Sequence, residues 1–156
     1  MENCIGVVPR RWPGPWYPWG VTDIHYLVLS ALLTWVMIFS ASLLRSRGWT
    51  PGGMRIAVSN RDAVPEPSPM AARCDRAAKN MLENMVLFIA VFVAARAAGV
   101  PASEITVGAA IFFYARVAYF VVYLVGIPYL RTLIWTIALG GAGWIAFRAI
   151  ATARGY

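Results

Sequence analysis

The chain alternates between long apolar runs and short polar segments. Residues 24–44 contain no charged side chain, and a helix of that length, at about 1.5 Å per residue, extends roughly 31 Å, the thickness of a bilayer's hydrocarbon. Three further runs, at about 76–98, 104–125 and 129–150, are predominantly apolar. The pattern therefore predicts four transmembrane helices, spans 1 to 4, and an all-α fold.

The segments between the spans carry helix-breaking residues. Residues 45–75 are rich in Gly, Pro and charge, which predicts a polar loop outside the hydrocarbon. The stretch "GVPAS" separates spans 2 and 3, with Ser103 as the expected N-cap of span 3. The stretch "GIP" predicts a tight turn before span 4. Residues 23–150 are thus expected to form one four-helix membrane domain.

The first 22 residues have a different composition. They include the Trp- and Pro-rich stretch "RRWPGPWYPWG" and lack the apolar core of a signal peptide. Trp, Tyr and Arg favour the depth of lipid headgroups, so residues 1–22 are interpreted as an interfacial segment.

Composition agrees with a membrane protein and excludes several other classes. The chain is 60% hydrophobic and carries a net charge of +7, which favours anionic lipids or anionic ligands. No basic run is long enough to predict nucleic-acid binding. Cys4 and Cys74 lie far apart and His25 is the single histidine, so neither a metal site nor a disulfide framework is expected.

Positive charge predicts the orientation in the membrane. Four spans place loops 1-2 and 3-4 on one side, and both termini with loop 2-3 on the other. The first side carries eight Lys and Arg residues and the second five, which favours cytoplasmic loops 1-2 and 3-4. The eight are Arg45, Arg47, Arg55, Arg61, Arg73, Arg76, Lys79 and Arg131, and the five are Arg10, Arg11, Arg96, Arg148 and Arg154.

Glu83 and Arg116 fall inside predicted spans, where an ionised side chain costs at least ~2.5 kcal/mol. Both belong to polar stripes at helical spacing that open toward the same side of the membrane. One interpretation is a structural ion pair between Glu83 and Arg116. The other is a ligand site, because excess cations converge there with one acid and several neutral donors. The stripes are Arg76, Asn80 and Glu83 in span 2, and Arg116, Tyr119 and Tyr123 in span 3, with Lys79 and Arg131 nearby.

These residues resemble the MAPEG family, the membrane-associated proteins of eicosanoid and glutathione metabolism. The resemblance covers about residues 60–150 and rests on two motifs. "RAAKNMLEN" contains R-x-x-x-N-x-x-E, and "RVAYFVVYL" contains R-x-x-Y-x-x-x-Y, followed by Arg131. The loop stretch "NRDAVPEP" is similar to bacterial members, which implies a bacterial inner membrane.

The resemblance implies a homotrimer of four-helix subunits, with glutathione bound between subunits on the cytoplasmic side. Arg45 is then expected to reach the site of the adjacent subunit. The residues that the resemblance assigns to the tripeptide are Arg76, Asn80, Glu83, Arg116, Tyr119, Tyr123 and Arg45.

The implied chemistry depends on a thiolate. A thiol with a pKa near 8.5 is only a few per cent ionised at pH 7, and the thiolate is the nucleophile. Arg131 is the candidate catalytic residue that lowers this pKa. The sulfur is expected to attack hydrophobic electrophiles from the bilayer or to reduce lipid hydroperoxides. Thr132 offers a hydroxyl, although a bond to its own helix backbone is favoured. Trp135 stands where some prostaglandin-forming members have a tyrosine, so their isomerase activity is not expected.

Two other functions stay open at this level. The family includes a lipid-presenting member without transferase activity, so the chain is alternatively a non-catalytic lipid- or partner-binding protein. A third hypothesis is an accessory subunit of a larger membrane complex.

Overall fold

The computed structural model describes residues 21–60 and 66–155. Five helices form this part of the chain: α1 (Asp23–Ser46), α2 (Pro51–Val58), α3 (Pro69–Ala97), α4 (Ala102–Val125) and α5 (Pro128–Ala153). All except α2 are long and apolar enough to cross a membrane, and the described residues contain no strand. The predicted all-α fold with four spans is therefore confirmed. The predicted interfacial segment lies largely outside the described residues.

The region between the first two spans is more ordered than the sequence predicted. Residues 45–75 were interpreted as a polar loop, but α2 forms within them and α3 begins at Pro69 rather than near residue 76. Proline is suited to the first turn of a helix, where its missing N–H needs no partner. Thr50 and Ser68 cap these helices by accepting hydrogen bonds from the N–H groups of Gly53 and Ala71.

The ends of α4 differ in how well they were predicted. Ser103 was expected to be the N-cap, but Pro101 holds that position and the helix starts at Ala102. Proline's restricted φ already sets the chain direction there. At the other end the predicted turn is confirmed, because Gly126 takes a left-handed φ of 93° and its N–H bonds to the carbonyl of Val122.

Close packing holds the helices together. A Cβ atom on Gly108 of α4 or Gly141 of α5 would come within 2.6 Å of the other residue's carbonyl oxygen, so only glycine lets these backbones approach so closely. Phe88 of α3 stacks on Phe112 of α4 with ring centroids 4.1 Å apart. These contacts fix α3, α4 and α5 around a common core.

The bundle has two chemically different ends. The loop end carries α2 and the α4–α5 turn at residues 126–128. Among the described residues, the far end carries two ion pairs, Arg96 with Asp23 and Arg148 with Glu104. These far-end charges tie α1 to α3 and α4 to α5, and so hold the bundle closed away from the site described below.

Candidate functional site

An open cavity of about 480 Å³ lies between α3, α4 and α5 at the loop end. Most of the residues that line it carry charged or hydrogen-bonding side chains, although the three helices are predominantly apolar. The lining residues are Arg76, Lys79, Asn80, Glu83, Tyr119, Tyr123, Arg131, Thr132 and Trp135. Six of the eight ligand-site residues expected from the sequence thus share one cavity, and Arg116 and Arg45 lie elsewhere.

Helix α3 contributes both signs of charge. Arg76, Asn80 and Glu83 stand at i, i+4 and i+7, so they line one side of the helix. Lys79 adds a second cation beside them. Glu83 and Lys79 form no ion pair with any residue of the described ranges. The carboxylate and the ammonium group are therefore exposed to whatever occupies the cavity.

Two tyrosines form the α4 wall. The rings of Tyr119 and Tyr123 lie 5.3 Å apart between centroids, as expected for residues one helical turn apart. The Nε of Arg76 donates a hydrogen bond of 3.3 Å to the hydroxyl oxygen of Tyr123. This bond connects the α3 and α4 walls and leaves the Tyr123 hydroxyl free to donate into the cavity.

Arg131 lies in the first turn of α5, just after the α4–α5 turn. Its guanidinium carbon stands 4.9 Å from the centre of the Tyr123 ring, within the range of a cation–π contact. Across residues 21–60 and 66–155, its guanidinium finds no hydrogen-bond acceptor. Arg131 is thus held in place by an aromatic face while its N–H groups keep their capacity to bind an anion.

Arg116 is fully buried behind the cavity wall. Its Nη1 donates a 2.8 Å hydrogen bond to Oδ1 of Asn80, and its guanidinium carbon lies 5.3 Å from the ring centres of Phe112 and Tyr119. It forms no ion pair with Glu83, so that interpretation of the two charges was wrong. Glu83 is rotated by about 60° from Asn80 around α3, which turns its carboxylate from the helix interface to the exposed cavity.

Arg45 lies at a different place on the same subunit. It pairs with Asp75 between α1 and α3 and lines a second cavity of about 400 Å³ together with Ser42 and Ile38. The expected contact of Arg45 with the site of an adjacent subunit is a contact between chains, and it stays a prediction.

Sequence reasoning missed one contact that shapes the site. Arg73 donates from Nε to the carbonyl oxygen of Leu124 at 3.1 Å, and so satisfies one of the carbonyl groups that the end of a helix leaves unpaired. A Cβ atom on Gly126 would lie 3.7 Å from the guanidinium carbon of Arg73, so the side chain of Arg73 packs against the turn. The signal available in the sequence was its spacing, because Arg73 precedes Arg76 by three residues and shares its helix face.

Two further residues of α5 complete the wall. The hydroxyl of Thr132 donates to the carbonyl oxygen of Pro128 at 3.3 Å, so it is engaged with its own helix as favoured above. The indole N–H of Trp135 is buried and has no acceptor in the described part of the chain. The cavity as a whole combines three cations, one carboxylate and neutral donors, which suits a zwitterionic ligand with excess negative charge.

Comparison with known proteins agrees with the four-helix membrane fold. A sequence model of the MAPEG family matches residues 24–151, a range that includes every residue of the cavity. No curated protein and no solved structure matches the chain. Since the match extends over nearly the whole length of the four-helix bundle, the chain belongs to the MAPEG family.

Proposed function

We propose that the protein binds glutathione in the cavity between α3, α4 and α5 and uses its thiolate on hydrophobic substrates. The observation that carries the proposal is the composition of the cavity: of the described residues that line it, Arg76, Lys79 and Arg131 are cationic and Glu83 is the one acid. Glutathione carries two carboxylates and one ammonium group, and its thiolate adds a third negative charge. The charges of ligand and cavity are therefore complementary.

The size and spacing of the lining groups support the same ligand. A volume of about 480 Å³ falls within the roughly 300–1,000 Å³ typical of small-molecule sites. In the proposed binding mode Glu83 accepts a hydrogen bond from the ammonium group of the ligand. Arg76 and Lys79 take its carboxylates. The sulfur lies near Arg131, at the α5 wall.

Arg131 is proposed to stabilise the thiolate. Lowering the pKa of the bound thiol from about 8.5 to about 6.5 requires about 2.7 kcal/mol of differential stabilisation. A charge-assisted hydrogen bond in a partly dry cleft contributes ~1.5–3 kcal/mol. The contact with Tyr123 supports this role, because it holds the guanidinium group without consuming its N–H donors.

Two reactions follow from a bound thiolate. In conjugation, the sulfur lone pair forms a C–S bond to an electrophilic carbon, and the leaving group departs with the electron pair of the bond that breaks. In reduction, the sulfur attacks the terminal oxygen of the hydroperoxide, so an S–O bond forms as the O–O bond breaks and the alkoxide leaves as an alcohol after taking up a proton. The resulting sulfenic acid then reacts with a second glutathione to give the disulfide and water. Both reactions suit hydrophobic substrates that enter from the bilayer past the α5 wall, where Trp135 lies beyond Arg131.

The assembly and location belong to the same proposal. The family resemblance supports a homotrimer in which Arg45 of one subunit reaches toward the glutathione of the next. The charge asymmetry of the sequence supports a cytoplasmic loop end. The bacterial-type loop motif supports an inner-membrane location.

Calorimetry on the purified protein with glutathione tests binding directly. Heat with saturable stoichiometry is expected, and Glu83→Gln is expected to weaken affinity, whereas Arg154→Gln at the far end serves as the matched control. If the unaltered protein releases no binding heat, the proposal fails.

Ultraviolet absorbance tests whether the bound sulfur is ionised. A thiolate signal is expected with glutathione and not with the reference ligand S-methylglutathione, and this signal distinguishes an activated thiol from ligand binding alone. Saturable binding without that absorbance would favour the non-catalytic alternative.

A further inference from the structure

Helix α2 is held rigidly against the end of the transmembrane helix α1. The chain reverses at Arg47, whose φ of 53° is left-handed, directly after α1 ends. Both the N–H and the hydroxyl group of Thr50 donate hydrogen bonds to the carbonyl oxygen of Arg47. Gly53 packs so tightly against the backbone of Ser46 and Arg47 that a Cβ atom there would collide with their carbonyl groups. The orientation of α2 is thereby fixed against the end of α1.

This link determines how deep α2 lies. The charge-free run of α1 ends at Arg45, and the first residue of α2 follows six positions later at Pro51. A segment so close to the end of a membrane span, and folded back onto it, lies at headgroup depth.

The exposed side of α2 is divided into an apolar edge and a polar edge. Met54 and Val58 are 52% and 80% exposed, and at 3.6 residues per turn they lie about 40° apart around the helix. Arg55 follows at about 60° from Val58, and Gly52 at about 60° beyond Arg55. Trp49, in the turn before α2, is 63% exposed. Such a division is typical of a helix lying in the plane of a membrane surface.

The charge of this region is of one sign. No acidic residue occurs between Asp23 and Asp62 in the sequence, whereas Arg47 lies at the end of α1 and Arg55 lies within α2. Neither arginine forms an ion pair with a residue in 21–60 or 66–155. Unpaired guanidinium groups at headgroup depth attract anionic phospholipids.

We propose that α2 and Trp49 form a docking surface for anionic phospholipids, with Met54 and Val58 inserted below the headgroups and Arg47 and Arg55 bound to phosphate. This lipid surface is separate from the cavity between α3, α4 and α5 and does not depend on glutathione.

A nitroxide depth measurement tests the location. The label is placed on Met54→Cys or, as the matched control, on Gly52→Cys, where a side chain meets open space. Both chains carry Cys4→Ser, keep the fully buried Cys74, and are placed in nanodiscs of phosphatidylcholine alone or mixed with phosphatidylglycerol. At position 54, collisions with oxygen are expected to exceed those with a water-soluble nickel chelate several-fold. At position 52 the order is expected to reverse.

Two results at position 54 would overturn the proposal. Strong collisions with the nickel chelate would place the apolar edge in water. Weak collisions with both reagents would place it against protein, as in a contact between copies of the chain.

The preference for anionic lipid tests the arginines. A fluorophore at position 54 is quenched by trace headgroup-labelled phosphatidylglycerol or phosphatidylcholine, and the ratio of quenching measures selectivity. Arg47→Gln and Arg55→Gln are each expected to reduce that ratio by up to about fivefold, the equivalent of ~1 kcal/mol per arginine. Arg154→Gln, at the far end, is the control and is expected to leave it unchanged. Equal quenching by both lipids in the unaltered chain would contradict the charge argument.

Discussion

The cavity at the loop end and the far end of the helical bundle hold their charges in different ways. At the far end, Arg96 and Arg148 each meet a carboxylate, that of Asp23 or Glu104. At the loop end, Lys79 and Arg131 line a cavity and meet no carboxylate among the described residues. Paired charges at a helix end stabilise packing. Unpaired cations around an open space instead leave their electrostatic interactions to a ligand.

Substitution of Arg131 in the cavity is expected to have the largest effect on turnover. Arg131→Ala is expected to reduce conjugation of a generic electrophile at pH 7 by roughly 25-fold, because the thiolate fraction falls from about 75% at a pKa of about 6.5 to about 3% at a pKa of about 8.5. Glutathione affinity measured by calorimetry is expected to change only a few fold, because the carboxylates and the ammonium group keep their partners. Unchanged turnover would show that another group activates the sulfur.

Glu83 is expected to act on binding rather than on turnover. Glu83→Gln removes the single negative charge of the cavity and should weaken glutathione about tenfold, the effect of one charge-assisted hydrogen bond. The comparison ligand is glutathione lacking its amino group, for which the substitution is expected to have little effect. Equal loss with both ligands would mean that Glu83 does not meet the ammonium group.

Arg73 tests whether the α4–α5 turn positions Arg131. Arg73→Gln removes the bond to the carbonyl of Leu124, and turnover is expected to fall several-fold while KM for glutathione stays nearly constant. Arg73→Lys keeps a donor and is expected to restore part of the loss. A parallel loss of thermal stability without any change in kcat would assign Arg73 to folding alone.

The far end should give the smallest effect on function. Arg148→Gln breaks the pair with Glu104 and is expected to lower the free energy of unfolding by up to about 1 kcal/mol, as for partly exposed ion pairs. Thermal melts in detergent measure this loss. Glutathione affinity is expected to be unaltered. A marked loss of affinity would mean that the far-end ion pair and the cavity are coupled.

Much of the fold was predictable because a bilayer imposes a simple rule. Because the hydrocarbon contains no water, the backbone N–H and C=O groups there must form hydrogen bonds with one another. Apolar runs of about twenty residues therefore form helices. Local spacing also placed Arg76, Asn80 and Glu83 on one side of α3. The start of α3 was predicted less well, since Ser68 and Pro69 form a good helix start within a stretch whose composition suggests a loop.

Sequence spacing predicts which polar groups share a helix face, but it does not predict which of them form contacts between helices. Spacing allowed Arg116 to pair with Glu83, but the buried guanidinium bonds to Asn80 and lies between the rings of Phe112 and Tyr119. Spacing placed Arg73 on the same helix face as Arg76, but it could not identify the acceptor of Arg73, which is a backbone carbonyl group of a kind that every residue possesses.

By itself, the sequence determined the number of spans, the polar faces of α3 and α4 and the family motifs, since all of these depend on residues close together in the chain. Only the tertiary structure decided that Arg131 joins those faces across a left-handed turn at Gly126, that Arg116 is buried behind the wall, and that Arg45 faces another cavity. The physical reason is that helix rotation and the approach of distant backbones are set by packing across the whole bundle, as at Gly108 and Gly141.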